Sequence, residues 1–411
     1  MSGLRALTPR GRSFIASGAA ALLCALLLGE HDLLRVAVLI VALPLLAALI
    51  VVRTRYRLAC ARRLDPSRVQ AGGVGTVTLR LENVTRLPTG LLLVEDHIPH
   101  ALGTVRPRFV LDRVEPHGVR EIDYKVRSEL RGRFPIGPLS IRIADPFGLV
   151  ELTRSFTITD TLVVTPEVVP LPPVRLSGEW TGGGDSRTRS VAAAGDDDVA
   201  PREYRQGDDL RRVHWRSTAR HGELMVRREE QQRQSRGALL LDTRRCAHRG
   251  EGPRSSFEVA VSAAASIGVH LSRDGLGLRL ITDQGGQHLA DTGASWSLLD
   301  ALSVVRHSSA RSMEHGIAAL RQGGDGLIVA VLGEIDSLDA RELARLKQPG
   351  VTGIAVLLDV AGETGAASPD ADETAEDMLT AGGWRTIRLP AGVSLAAVWP
   401  EAAHRRVGIR R

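Results

Sequence analysis

Lysine is nearly missing from this chain. Of 53 basic residues only Lys125 and Lys347 are lysines. Neither follows a glycine-rich loop, which excludes nucleotide binding through a P-loop. Cysteine is almost as scarce. Cys24, Cys60 and Cys246 are odd in number, far apart and without a C-x-x-C pair. That argues against a disulfide framework or a zinc knuckle and fits a reducing compartment. Aromatic residues make up only 3%, so aliphatic side chains have to build the cores, and each of the 5 tryptophans carries more information than usual. The G-x-S-x-G elbow of serine hydrolases and the H-E-x-x-H of zinc hydrolases are both absent. His97 and His100 are three apart, but in a strand-like run their side chains point to opposite faces, which disfavours a shared metal.

What is present begins with two apolar runs, residues 14–29 and 33–52, separated by Glu30-His31-Asp32. The second has the length to span a hydrocarbon core of about 30 Å, and the first reaches it with flanking residues. No small-x-small cleavage pattern follows the first run, so a helical hairpin is expected rather than a signal peptide. Arg5, Arg10 and Arg12 flank the first run and Arg53, Arg55, Arg57, Arg62 and Arg63 the second, while the loop between them holds no lysine or arginine. The positive-inside rule then predicts a multi-pass protein of the cell membrane with both termini cytoplasmic. Residues 1–63 are read as the anchor, with residues 13–52 in the lipid bilayer.

Residues 64–173 change to short alternating runs such as VGTVTLRLENV and VREIDYKV with turn residues between them. About seven such runs predict an immunoglobulin-like β-sandwich. Arg131-Gly132-Arg133 and Asp145-Pro146-Phe147-Gly148 read as tight corners. Residues 174–195, rich in Gly, Ser and Thr, read as a flexible linker.

The stretch from Asp196 to Glu230 interleaves eight arginines with nine carboxylates, plus Tyr204, His214 and Trp215. Charges that nearly cancel argue against nucleic acid, which favours a one-signed basic patch. Internal ion pairs suit the pattern better, with Arg forks on carboxylates and flat aromatic faces for Arg to stack on. A solvated charged face is the plainer reading, but such faces seldom need Trp, Tyr and Gly turns.

The run Arg202-Glu203-Tyr204, Gly207-Asp208-Asp209, Arg211, His214-Trp215, Ser217-Thr218-Ala219-Arg220, Gly222 and Leu224-Met225-Val226-Arg227 resembles the signature of the bacterial domain of unknown function 58 family. The resemblance reaches back to Arg131-Gly132-Arg133-Phe134, Gly137-Pro138-Leu139 and Asp145-Pro146-Phe147-Gly148-Leu149. It implies a membrane-anchored protein in which segment 196–235 precedes a von Willebrand factor A-like domain, here residues 236–411 with a basic tail. It also implies a MoxR-type AAA+ ATPase as partner. Because Trp215, Tyr204 and the arginines are types enriched at binding hot spots, Arg202, Glu203, Tyr204, Gly207, Asp208, Asp209, Arg211, His214, Trp215, Thr218, Arg220, Gly222 and Arg227 are the candidate interaction residues, with a structural clasp as the other reading.

The last domain alternates strand-like and helix-like runs from RGALLLD at residue 236 onward, which predicts an α/β fold with a doubly wound, mostly parallel sheet. Asp242 falls at the carboxyl end of its first strand, where ligands gather in such sheets. A metal-binding von Willebrand A domain usually carries Asp-x-Ser-x-Ser there, whereas this chain has Asp242-Thr243-Arg244-Arg245-Cys246. A fixed cation beside Mg²⁺ is unfavourable, so a degenerate site, no metal and no cofactor are expected. Two functions stay in view: a non-enzymatic adaptor or scaffold for the ATPase, and a hydrolase using Asp, His and Arg groups of the signature.

Overall fold

Thr8 starts the first helix. Its hydroxyl accepts the Gly11 N–H at 3.1 Å, and Pro9 supplies a φ already suited to a helix. The helix α1 runs Pro9–Leu28 and ends on Gly29 at φ 69, and α2 runs His31–Arg53 with Pro44 inside it. Both are long and apolar enough to cross a membrane. This computed structural model describes residues 7–53, 58–145, 147–174, 201–204, 213, 215–227, 236–290, 295–360 and 369–403. The chain divides into two units, Met1–Thr165 and Pro166–Arg411.

In the first unit the helices are followed by strands β1 (Leu58–Asp65), β2 (Arg68–Gln70), β3 (Val74–Asn83), β4 (Leu92–Asp96), β5 (Arg108–Leu111), β6 (Val119–Arg127), β7 (Gly132–Ile136), β8 (Leu139–Ala144), β9 (Glu151–Phe156) and β10 (Asp160–Thr165). They form three sheets, ordered β1-β3-β6, β2-β10-β7 and β5-β4-β8-β9. The period of two explains why these segments are strands: in β3, Val77, Leu79 and Leu81 all turn into one core while the residues between them face outward.

Each of the seven predicted runs holds a strand, but two expectations fail. Residue 63 does not end a membrane anchor, because β1 begins at Leu58 and pairs with β3 along its whole length. Its inward positions are Leu58, Cys60, Arg62 and Leu64, and the charged Arg62 breaks the apolar alternation that marks a strand. Arg62 is therefore no membrane-flanking cation. Its side chain, 1% exposed, donates to Asp96 Oδ1 at 2.7 Å, Asp160 Oδ2 at 3.2 Å and the carbonyls of Ile136 and Ile158, both at 3.0 Å. Tyr124 Oη donates to Asp96 Oδ2 at 2.6 Å, and burial, reinforced by that carboxylate, pushes the phenol well above its ordinary range. Burial likewise pushes the Cys60 thiol up to about 12 against the pull of Arg62. The second failure is Arg131-Gly132-Arg133, read as a corner: Gly132–Ile136 is β7, antiparallel to β10.

The Asp145 corner is a turn. Asp145 accepts the Phe147 N–H at 3.1 Å and the Val150 N–H at 2.6 Å, and Gly148 takes φ 66. The corner holds the start of α1: the Thr8 N–H donates to Leu149 O at 3.0 Å and its hydroxyl to Gly148 O at 2.7 Å. Gly11 is required here, since a Cβ would lie 2.2 Å from Leu149 O. Leu7, Ala47, Leu149 and Val150 form a small core of their own.

In the second unit, residues 166–173, expected to belong with the preceding strands, and Val174, expected to open the linker, line the core of the following domain. The Val169 N–H donates to Ser266 Oγ at 2.9 Å, Ser262 Oγ donates to Glu167 O at 2.8 Å, and Val168, Leu171 and Val174 pack against the core. The rest of the predicted linker, residues 175–195, lies outside the described residues. Then come β11 (Pro201–Glu203), α3 (Trp215–His221) and β12 (Met225–Arg227), followed by β13 (Arg236–Leu241), α4 (Ser256–Arg273), β14 (Gly277–Thr282), β15 (Gln287–Ala290), α5 (Ser295–Val304), α6 (Glu314–Arg321), β16 (Leu327–Leu332), α7 (Ser337–Ala344), β17 (Thr352–Leu358), α8 (Pro369–Ala381), β18 (Arg385–Leu389) and α9 (Leu395–Val398).

The six-stranded sheet runs β15-β14-β13-β16-β17-β18, parallel except for the antiparallel edge strand β15. Counted within the domain this is 3-2-1-4-5-6, the doubly wound order. Its central strands are apolar on both faces. Leu239 and Leu241 of β13 join Val329 and Val331 under α4 and α5, while Ala238 and Leu240 join Ile328 and Ala330 under α6, α7 and α8. Trp399 fills the first core and Trp384 the second, both essentially buried. The edge strand β15 is the element the sequence reading lacks, because four residues behind a Gly-Gly turn carry no period.

Candidate functional site

The strand order reverses between β13 and β16, and the polar groups gather at the carboxyl ends of these strands, where a doubly wound sheet opens a crevice. Asp242 follows β13, Asp283 follows β14, Gly333-Glu334 follow β16, and all three strands point their ends the same way. Asp242 and Asp283 are both completely buried. Buried carboxylates demand partners, and each has a different set.

Asp283 is satisfied by neutral donors. Its Oδ1 accepts from the Thr243 N–H at 2.9 Å and from the Thr243 hydroxyl, and its Oδ2 from the Ser308 hydroxyl. Asp242 is met by a cation of the chain's own. Arg244 turns back over it, Nε to Oδ1 at 3.0 Å and Nη2 to Oδ2 at 2.9 Å. Nη1 donates to Asp339 Oδ2 at 2.8 Å and to Arg311 O at 3.2 Å, and Nη2 donates to Glu334 O at 3.1 Å. A guanidinium has five N–H groups, and here each has an oxygen. Desolvation works to lower the Arg244 pKa, but the bonds and charges of Asp242 and Asp339 outweigh it, so the group lies above the ordinary arginine value.

Asp339 is carried by α7, whose N-cap Asp336 accepts the Asp339 N–H at 2.8 Å. Its carboxylate also accepts the Met313 N–H at 3.2 Å. Burial pushes the Asp339 pKa up, opposed by that amide and by Arg244. His248 closes the other side, with Nε2 2.9 Å from Asp242 O and Nδ1 3.3 Å from Ser256 Oγ. A carbonyl only accepts, so Nε2 carries a proton. Burial, with Arg244 adding to it, lowers the His248 pKa. The backbone is equally tight here: the Glu334 N–H donates to Ala247 O at 2.9 Å, and a Cβ on Gly333 would lie 2.2 Å from that oxygen.

The oxygens round Arg244, two from one carboxylate, one from another and two carbonyls, are the ligand types of a hard divalent cation. The guanidinium occupies their centre instead. Among the described residues no group of three or more His, Cys, Asp and Glu is placed to hold a metal ion. Cys246, at the other hydroxyl position of the metal pattern, is exposed, and its Sγ lies 3.7 Å from Ala310 O.

The signature segment closes into a separate small hairpin. β11 and β12 pair antiparallel, Pro201 opposite Arg227, Arg202 opposite Val226 and Glu203 opposite Met225. The Tyr204 N–H donates to Leu224 O at 2.8 Å. Thr218, on α3, accepts the Met225 N–H on its hydroxyl at 3.0 Å, and Gly222 ends α3 at φ 77. Val213 and Met225 are buried, whereas Trp215 is 71% exposed and Arg220 and Glu203 are also exposed. Gly207, Asp208, Asp209, Arg211 and His214 lie outside the described residues. Sequence reasoning missed Asp283, Ser308 and Asp339 because each stands alone in sequence. A carboxylate directly after a buried strand was the one available signal for Asp283.

Residues 200–318 match the family model described as protein of unknown function DUF58. Over this segment the chain is similar to the DUF58 family. The match takes in both the hairpin and the Asp242, Arg244, His248, Asp283 and Ser308 part of the buried cluster. A curated relative, the uncharacterized protein YeaD of Bacillus subtilis (strain 168), is 25% identical over 232 residues, 54% of this chain and 54% of its own length. The chain thus matches about half the length of that relative. Among solved structures, a CARDB domain from Pyrococcus furiosus covers 27% of this chain and 90% of its own at 13% identity and TM-score 0.21. β-Glucosidase 3B from Thermotoga neapolitana covers 26% of this chain and 17% of its own at 11% identity and TM-score 0.14. Likenesses that weak bear neither on fold nor on chemistry.

Proposed function

We propose that this DUF58 protein is a membrane-tethered, cytoplasm-facing adaptor or scaffold without enzymatic activity. It acts with a MoxR-type AAA+ ATPase through its hairpin and a von Willebrand factor A-like domain, behind an immunoglobulin-like β-sandwich. The observation that carries the reading is the exposure of Trp215 and Arg220 in a segment whose bonds among the described residues do not use those side chains. Trp and Arg are the types that dominate binding hot spots. The 3-2-1-4-5-6 sheet with an antiparallel edge supports the von Willebrand reading of the last domain.

The test uses the full chain in detergent with the purified ATPase. Trp215→Ala and Arg220→Ala are expected to leave the thermal midpoint unchanged while weakening ATPase capture at least tenfold, the size of a ~1.4 kcal/mol contact. Capture that falls only with the folded fraction makes the hairpin a structural clasp and overturns the reading. Turnover of any ester, phosphoester or peptide in a substrate panel, abolished by a signature variant, makes the protein a hydrolase instead.

A further inference from the structure

The membrane hairpin and the Asp145 corner are at odds over depth. Leu149 and Val150 of the corner share one small core with Leu7 and Ala47, against which Ile15 of α1 and Leu43 and Ala48 of α2 also pack. Residues 36–52 of α2 contain no charge, so the apolar stretch of that helix continues past Ala47 to Arg53. At ~1.5 Å per residue, Ala47 lies roughly 7 Å and Leu43 roughly 14 Å inside the end of that stretch. From Ile15 to Leu28, α1 covers only about 20 Å, less than the ~30 Å of a hydrocarbon core. The hairpin is therefore too short to span a bilayer with the corner held clear of it.

The side chains at the corner suit the lipid boundary. Phe147, in the corner, is 63% exposed. Arg10 reaches to the same corner, its Nη1 3.9 Å from where a Cβ on Gly148 would be, and Arg10 and Arg12 are both exposed. An outward aromatic ring with arginines at its level is how a protein seats itself at the headgroup boundary. The alternation of β9 continues the apolar contact through Leu152.

We infer that the Asp145 corner is a membrane-interface anchor, with Phe147 inserted at the boundary of headgroups and acyl chains and Arg10 on lipid phosphate. This rests on the reading of α1 and α2 as a spanning hairpin. Its consequence is that the β-domain is held against the membrane surface and does not swing on a tether.

The test measures depth with a nitroxide on the full chain in liposomes of phosphatidylethanolamine and phosphatidylglycerol. Cys24→Ala and Cys246→Ser remove the exposed thiols, and Cys60, its thiol pushed up to about 12, stays unlabelled at neutral pH. Labels go at Phe147→Cys, at Val105→Cys on an exposed β-domain loop and at Leu39→Cys on an exposed face of α2. The expected ratio of oxygen to nickel-chelate collisions at 147 is several-fold above that at 105 and below that at 39. A water-like value at 147 beside a lipid-like value at 39 overturns the anchor and leaves the spanning hairpin standing. Water-like values at both 147 and 39 overturn both.

Discussion

Arg244 closes over Asp242 as a two-pronged clamp, with Nε 3.0 Å from Oδ1 and Nη2 2.9 Å from Oδ2, at a point where both side chains are almost fully shielded from water. Removing one partner of such a pair leaves a buried charge without compensation. Arg244→Ala is expected to destabilise the protein by about 3–5 kcal/mol in denaturant unfolding followed by tryptophan fluorescence. Arg244→Lys recovers little, because an ammonium cannot reproduce the flat five-donor fork. Loss under 1 kcal/mol for Arg244→Ala would show that water or a neighbouring group takes over the cage.

A divalent ion at this point would have to displace the guanidinium from the same oxygens. Mg²⁺ or Mn²⁺ is therefore expected to leave the thermal midpoint of the wild-type chain unchanged, since a ligand stabilises only as far as it binds the native state. Arg244→Ser restores a hydroxyl and frees Asp242 and Asp339, so this variant should gain a metal-dependent rise. A rise in the wild type that Asp242→Ala abolishes would contradict a site filled from within.

His248 makes stability depend on pH with a definite sign. Its folded pKa lies below the ordinary histidine value because burial, and then Arg244, penalise the imidazolium. As pH falls below that value the unfolded chain takes up the proton first, so stability present at neutral pH is lost as pH falls toward the folded pKa. Unfolding free energies of wild type and His248→Gln measured between pH 8 and 5 should converge on the acid side. A constant difference across that range removes His248 from the account.

Arg62 leaves the set of membrane-flanking charges because it is buried in β1. Arg10, Arg12 and Arg53 remain at the ends of the two helices, and Glu30 and Asp32 stand in and beside the turn between them. The positive-inside rule then still predicts cytoplasmic termini. Reporter fusions after residue 65 and at the C-terminus should both signal cytoplasm. An external signal at either position reverses the orientation.

The pattern of residues carried much of this architecture. Strand and helix alternation in the last domain was legible because each element's period, two or about 3.6, is a local property that a short window contains. Where a buried charge interrupts the period the reading failed. Arg62 hides β1 in a run that looks like a basic membrane flank, and its compensation by Asp96 and Asp160 involves strands far along the chain. The strap at residues 166–174 failed for another reason: prolines signal irregular backbone, which it has, but not which core its valines and leucine reach.

By itself the sequence determined the two apolar helices, the strand-rich middle, the parallel α/β domain, the likeness of its signature segment to a family and the position of Asp242 at a strand end. It also excluded hydroxyls from the places a bound cation would need them. The tertiary structure alone decided that Arg244 fills the oxygen cage in place of an ion. Its acceptors come from residues 242, 311, 334 and 339, and only closure of the sheet brings oxygens so far apart in sequence within reach of one guanidinium.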